Sequence, residues 1–138
     1  MTGVQTCALP IYSEALEIFE QLGDRPGLAQ SYDLLGTASI LGGDTTGGVK
    51  SALAAEKIFR QLNDRQSLVL SMTMAAVCAG QMGPNLTCAD SPLSMPESVR
   101  LMESALALAR EIEFRAGEAF ALSALAWLQW SQIGRAHV

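Results

Sequence analysis

The chain has 138 residues, 49% of them hydrophobic and 17% charged, with 14 acidic against 9 basic side chains and a net charge of −5. That acidic balance argues against a nucleic-acid surface, which needs clustered Lys and Arg to neutralise phosphate. Cys78 and Cys88 have neither CxxC spacing nor histidine company, so no zinc or redox motif is signalled, and they read as small core-filling thiols in a reducing compartment.

Ala and Leu dominate and β-branched residues are sparse, which suits helices in one domain with a moderate core. Tyr12–Leu22 reads as an amphipathic helix with Ala15, Leu16, Phe19 and Leu22 on one face. Pro26–Leu41 forms a second, with Leu28, Tyr32, Leu35 and Ser39 as its stripe, and Gly42-Gly43-Asp44 ends it. A third runs from Thr46 to Leu62, with Val49, Ala52, Leu53, Ala55 and Phe59 inward. The fourth covers Ser67–Met82; its uncharged stretch holds Ser71, Thr73 and Gln81 and falls short of the roughly 20 residues a membrane-spanning helix needs. Gly83–Pro96 contains Pro84, Pro92 and Pro96 without helical periodicity and reads as a loop. Ser94-Met95-Pro96-Glu97 has capping-box form and opens a fifth helix to Ile112. The sixth runs from Ala116 to Gln132, anchored by Phe120, Leu122, Leu125 and Leu128.

The order within these elements comes from a repeat. Ile18–Arg25, IFEQLGDR, returns forty residues later as Ile58–Arg65, IFRQLNDR, with six of eight positions identical. A weaker third copy follows fifty residues on, where Leu108, Ile112 and Arg115 align with Ile58, Leu62 and Arg65. Each copy carries its own mechanics. Leu22 and Leu62 close an apolar face, and Gly23 and Asn63 suit the left-handed conformation that ends a helix. Asp24 and Asp64 can accept from the free N–H groups opening the next helix. Glu113 and Phe114 stand at the third junction, which should be less sharply capped. A fixed period of this size marks a solenoid. The fold expected is all-α: an α-solenoid of about six helices in antiparallel hairpins, without strands, each stripe buried by stacking on its neighbours.

The two termini read differently. Residues 1–11 and 133–138 resemble a translated sequencing adapter. Ala8-Leu9-Pro10-Ile11 can be encoded gct ctt ccg atc, and the reverse complement, shifted one base, gives Ile133-Gly134-Arg135 and the start of Ala136. A signal peptide fits poorly, since no basic segment precedes the apolar run and Pro10 interrupts it. The expectation is therefore a native segment over residues 12–132, an internal piece of a longer protein, flanked by two adapter-derived tails. Without Arg135, eight basic and fourteen acidic residues leave −6, and without His137 no histidine remains.

Over 12–132 the chain resembles the tetratricopeptide repeat. Tyr32, Leu35, Gly36 and Gly43 fit that family's first-helix spacing, and Asp44 follows where the family often has Asp. Gly48, Ala52 and Ala55 fall on its second-helix positions, with Ala52 where a large aromatic is usual. Met72, Ala75, Ala76 and Gly83, then Ser98, Met102 and Ala105, repeat the set. The period of forty exceeds the usual length of about 34 and approaches that of HEAT-like repeats. It resembles the long units of large bacterial multidomain regulators, whose ALxxFxxLGDRxGxAxxLxxLG style is approximated by Ala15, Leu16, Phe19, Leu22, Gly23, Asp24, Arg25, Gly27, Ala29, Leu35 and Gly36. The resemblance implies that the first helix of each unit lines a concave groove gripping a peptide or neighbouring domain. By position the groove would present Gln30, Asp33, Thr37, Thr73, Val77, Gln81, Ser123, Trp127 and Trp130. Trp127 and Trp130 could anchor a partner or pack on a following repeat.

Chemistry-bearing motifs are weak. Gly43–Ser51 nearly spells a phosphate loop, but Val49 separates the last glycine from Lys50 and no strand precedes it. Nucleophile–base catalysis lacks its usual histidine, and Asn85-Leu86-Thr87 reads as a chance match to a glycosylation acceptor. No enzyme activity, metal or cofactor is expected. The expected role is an interaction scaffold in a cytoplasmic regulatory or signalling protein, with a small-ligand sensor module of a transcriptional regulator as the alternative. Loop 83–96 is either a tolerated insertion or a contributor to recognition. Both ends of the repeat array should expose apolar surface that a neighbouring repeat normally covers, so self-association is expected.

Overall fold

The computed structural model describes the backbone of residues 3–80 and 92–136 and the side chains of residues 9–79 and 92–130. Six α-helices follow in order: α1 (Gly3–Leu22), α2 (Arg25–Leu41), α3 (Thr45–Leu62), α4 (Arg65–Gly80), α5 (Met95–Glu111) and α6 (Arg115–Ala136). No strand occurs among the described residues. None of the described helices is long and apolar enough to cross a membrane. Most of the expected loop, with Asn85, Thr87 and Cys88, lies outside the described residues. Two helices run further than expected: α1 starts at Gly3 with Pro10 in its interior, and α6 continues to Ala136.

The junctions explain the regular spacing. Gly23, Gly43, Asn63 and Glu113 all take left-handed φ values, of 67°, 88°, 55° and 55°. Behind each, the next N–H reaches back five residues. Asp24 donates to the Phe19 carbonyl at 3.0 Å, Asp44 to Ser39 at 2.8 Å, Asp64 to Phe59 at 3.0 Å and Phe114 to Ala109 at 2.8 Å. This closure satisfies carbonyls that a helix end leaves open. The aspartate then caps the following helix: Asp24, Asp44 and Asp64 accept from the N–H of Gly27, Gly47 and Ser67 at 3.0, 2.9 and 3.1 Å. At the fourth junction Phe114 has no carboxylate to offer, and its ring lies over Gly117 instead. Glu113 there occupies a region that costs a non-glycine residue about 1–2 kcal/mol. α5 opens on the expected capping box, with Glu97 accepting from the Ser94 N–H at 2.7 Å.

Each helix packs on the next, α4 also packs on α6, and α2 touches α4. Turns of two or three residues at four of the five connections make the helices they join antiparallel, and with the contacts of α4 on α2 and α6 this puts α2, α4 and α6 in one layer and α1, α3 and α5 in the other. This is an α-solenoid-like helical repeat. Its core is continuous in kind: Ala29, Ala55, Ile58, Phe59, Leu68, Met72 and Ala105 form one cluster. Ala76, Met102, Leu106, Ala121, Ala124 and Leu128 form a second, and Val49, Cys78 and Ala79 a third.

The seams are narrower than the sequence pattern suggests. A Cβ on Gly36 would sit 3.1 Å from the Gly48 carbonyl oxygen and 3.2 Å from the Ala52 nitrogen, so α2 and α3 approach nearly backbone to backbone. Accordingly α2 buries Gly27, Ala29, Ser31, Gly36 and Ser39, while Leu28, Tyr32 and Leu35 are half-buried. Leu22 and Leu62, expected to close an apolar face, are exposed, as are the expected anchors Phe120 and Leu122; Ala121, Ala124 and Leu128 are the buried residues there. Where helices come this close, the smallest side chains occupy the seam and larger ones are displaced to its margin. The two repeat phenylalanines hold matching places. Phe19 lies over Gly27 at the start of α2, and Phe59 lies beside Ser67 at the start of α4.

Candidate functional site

The α2–α4–α6 layer carries the expected groove residues. On α2, Gln30 is exposed and Asp33 and Thr37 are half-buried. On α4, Val77 is half-buried, and Gln81 lies outside the described residues. Thr73 is fully buried, and its hydroxyl donates to the Val69 carbonyl one turn back at 2.8 Å, so it faces the interior rather than a groove. On α6, Ser123, Trp127 and Trp130 are exposed.

Two of these residues meet in a cleft. Gln30, Asp33 and Leu34 of α2, Phe59 of α3, and Ser67 and Leu70 of α4 line this open depression of about 280 Å³. Three walls are apolar and the carboxylate of Asp33 is the charged group. Burial raises its pKa above the usual carboxylate value. Ser71 ties the cleft to α3, donating to the Ala52 carbonyl at 2.9 Å. None of the ion pairs among the described residues involves Asp33; they join Arg60 to Glu56, Arg65 to Glu111, and Arg110 and Arg115 to Glu118. A partly desolvated carboxylate without a cation beside apolar walls is suited to a cationic or hydrogen-bond-donating group.

Leu34, Phe59, Ser67 and Leu70 were not among the residues the family spacing pointed to. The signal for one of them is in the register. Gln30 maps onto Leu70 at the offset of forty, and Leu70 onto Phe120 at the offset of fifty, and all three are exposed. A position that stays on the surface in three helices while it grows from amide to leucine to phenylalanine is a surface row, legible once the repeat is aligned.

The fold defines a class, the helical-repeat proteins, and the layer above defines its surface. Compared with models of known protein families the chain matches none, and no curated protein matches it either.

Proposed function

We propose that the chain is a protein-interaction scaffold, a tetratricopeptide-like segment of a larger regulatory or signalling protein that works in the cytoplasm. It holds an extended peptide or a neighbouring domain across the α2–α4–α6 layer. The observation that carries this reading is the row of exposed apolar side chains, Leu34, Leu70, Phe120 and Trp127, interspersed with Gln30, Asp33 and Ser123 on that layer. Such a mixture of apolar and hydrogen-bonding groups suits a partner whose backbone and side chains must both be contacted. The Asp33 cleft, at about 280 Å³, has room for one side chain of such a partner.

Selection of random peptides on the immobilised chain, followed by amide chemical-shift mapping of the hits, tests the reading. Hits that compete with one another and shift Gln30, Asp33, Leu70 and Trp127 support it. Hits that map to the outer faces of α1, α3 and α5, or a selection that enriches nothing, would count against it.

A further inference from the structure

One position recurs through the α2–α4–α6 layer, and α2 departs from its pattern. Thr73 of α4 and Ser123 of α6 share that register, fifty residues apart. Both hydroxyls donate to the carbonyl one turn back in their own helix, Thr73 to Val69 at 2.8 Å and Ser123 to Ala119 at 2.9 Å. The counterpart on α2, forty residues before Thr73, is Asp33. An ionised carboxylate has no proton to donate and cannot close that bond.

The neighbouring groups do not compensate the charge. The Ser71 hydroxyl of α4 lies near Asp33 but gives its one proton to the Ala52 carbonyl at 2.9 Å. None of the other residues lining the cleft is basic, and no ion pair among the described residues includes Asp33. The carboxylate is half-buried, so it is partly desolvated without a cation in exchange, at a cost to the folded chain. Groups held at such a cost in a cleft are characteristic of binding sites.

Asp33 is also singular in its layer. The acidic residues within α2, α4 and α6 are Asp33 and Glu118, and Glu118 pairs with both Arg110 and Arg115. The layer therefore offers one negative charge without a cation. Beside it, Leu34 of α2 and Leu70 of α4 line the same cleft and are exposed. Gln30 and Ser67 add an amide and a hydroxyl oxygen, each able to accept a hydrogen bond.

We propose that the cleft receives an arginine side chain of the bound partner, its aliphatic stem against Leu34 and Leu70 and its guanidinium paired with the Asp33 carboxylate. Charge complementarity selects the occupant, and the apolar walls select a cation carried on a hydrocarbon stem. Arginine suits the cleft better than lysine. Its planar fork engages a carboxylate through two parallel bonds, leaves donors over for Gln30 and Ser67, and is less strongly hydrated than an ammonium. A single isolated charge calls for one basic residue at a fixed place in the partner segment, not for a generally basic one. The proposal rests on the scaffold reading, since it names a residue of the peptide held across that layer.

The test selects random nine-residue peptides in parallel on the full chain, on Asp33→Asn and on Glu103→Gln. The last removes the same charge from an exposed site on α5, outside the layer. Peptides from the parent and from Glu103→Gln should share an arginine at one aligned position, and those from Asp33→Asn should not. The strongest parent peptide is then resynthesised with citrulline, the neutral isostere, in place of that arginine. The exchange should weaken binding to the parent roughly tenfold by calorimetry and change binding to Asp33→Asn by less than about twofold. The citrulline comparison on the parent needs no variant to fold. Peptides that shift Gln30, Leu70 and Trp127 but share no basic position, an arginine selected equally by Asp33→Asn, or a citrulline peptide that binds the parent as well would overturn the proposal and leave the scaffold reading standing. A selection that enriches nothing, or hits confined to α1, α3 and α5, would overturn both.

Discussion

Phe59 offers the most direct measure of how the hairpins are joined. Its side chain is 4% exposed and packs in one cluster with Ile58 and Ala55 of α3, Ala29 of α2, and Leu68 and Met72 of α4. Truncating a buried phenylalanine to alanine removes the transfer free energy of the ring and leaves a cavity, together about 3–5 kcal/mol. One edge of the ring borders the Asp33 cleft, so water can reach part of the vacated space, and Met72 is flexible enough to move into the rest. The expected loss for Phe59→Ala is therefore at the lower end, about 3 kcal/mol. With a urea m-value of about 1–3 kcal/mol per molar, the unfolding midpoint should fall by about 1–3 M. Phe19→Ala is the internal control: its ring is half-buried over Gly27 with no further hairpin beside it, so it should cost less than Phe59→Ala. Urea titrations followed by far-ultraviolet circular dichroism read both values. A loss below about 1 kcal/mol for Phe59→Ala, or equal losses for the two phenylalanines, would refute the assigned helix faces.

Other perturbations probe the seams and turns. A Cβ on Gly48 would lie 2.9 Å from the Gly36 carbonyl oxygen and collide with Ile40, so in Gly48→Ala the overpacking cost of about 1–3 kcal/mol should outweigh the gain in helix propensity of about 1 kcal/mol. Thermal melts should show a net destabilisation. Glu113→Gly relieves a left-handed residue at φ 55° and should raise stability by about 0.5–1 kcal/mol in the same melts; a loss would mean that Glu113 makes a contact worth more than its strain. Burial raises the Asp33 pKa above its unfolded value, so its stabilising contribution is fully present below the unfolded pKa and is lost as pH rises through the folded one. Asp33→Asn should thus be more stable than the parent chain at neutral pH, with the difference shrinking in acid, as urea midpoints across that range would show. The Cys78 thiol is pushed up to about 12 by burial, so alkylation followed by peptide mapping should leave it unlabelled in the native chain at neutral pH and label it on unfolding.

The repeat of Ile18–Arg25 at Ile58–Arg65 was enough to place the turns, because the residues that end and start helices act locally. Gly23 and Asn63 take φ values open to few other residues, and Asp24 and Asp64 cap through backbone groups three positions away. The capping box at Ser94–Glu97 was legible for the same reason. The inward faces were only partly legible. Val49, Ala52, Ala55 and Phe59 are buried as their spacing implies, but Leu22, Phe120 and Leu122 are not. Between α2 and α3 side-chain size was a poor guide because Gly36 and Gly48 let two backbones approach closely and the seam there holds alanine and glycine. Among the groove residues, Gln30, Asp33 and Thr37 lie at the surface layer, while Thr73 turned inward because α4 is covered on both sides by α5 and α6.

Helix positions, their caps, the twenty-residue spacing of the turns at 23, 43 and 63 and the all-helical class were thus determined by the sequence itself, through interactions spanning no more than a few residues along the chain. Tertiary structure alone decided which of two register-equivalent residues is hidden. Ile58 and Met72 are covered while Ile18 and Leu122 are bare, although each pair shares its place in the helix. Burial depends on whether a neighbouring helix is present to exclude water, and that is a property of the stack rather than of the residue.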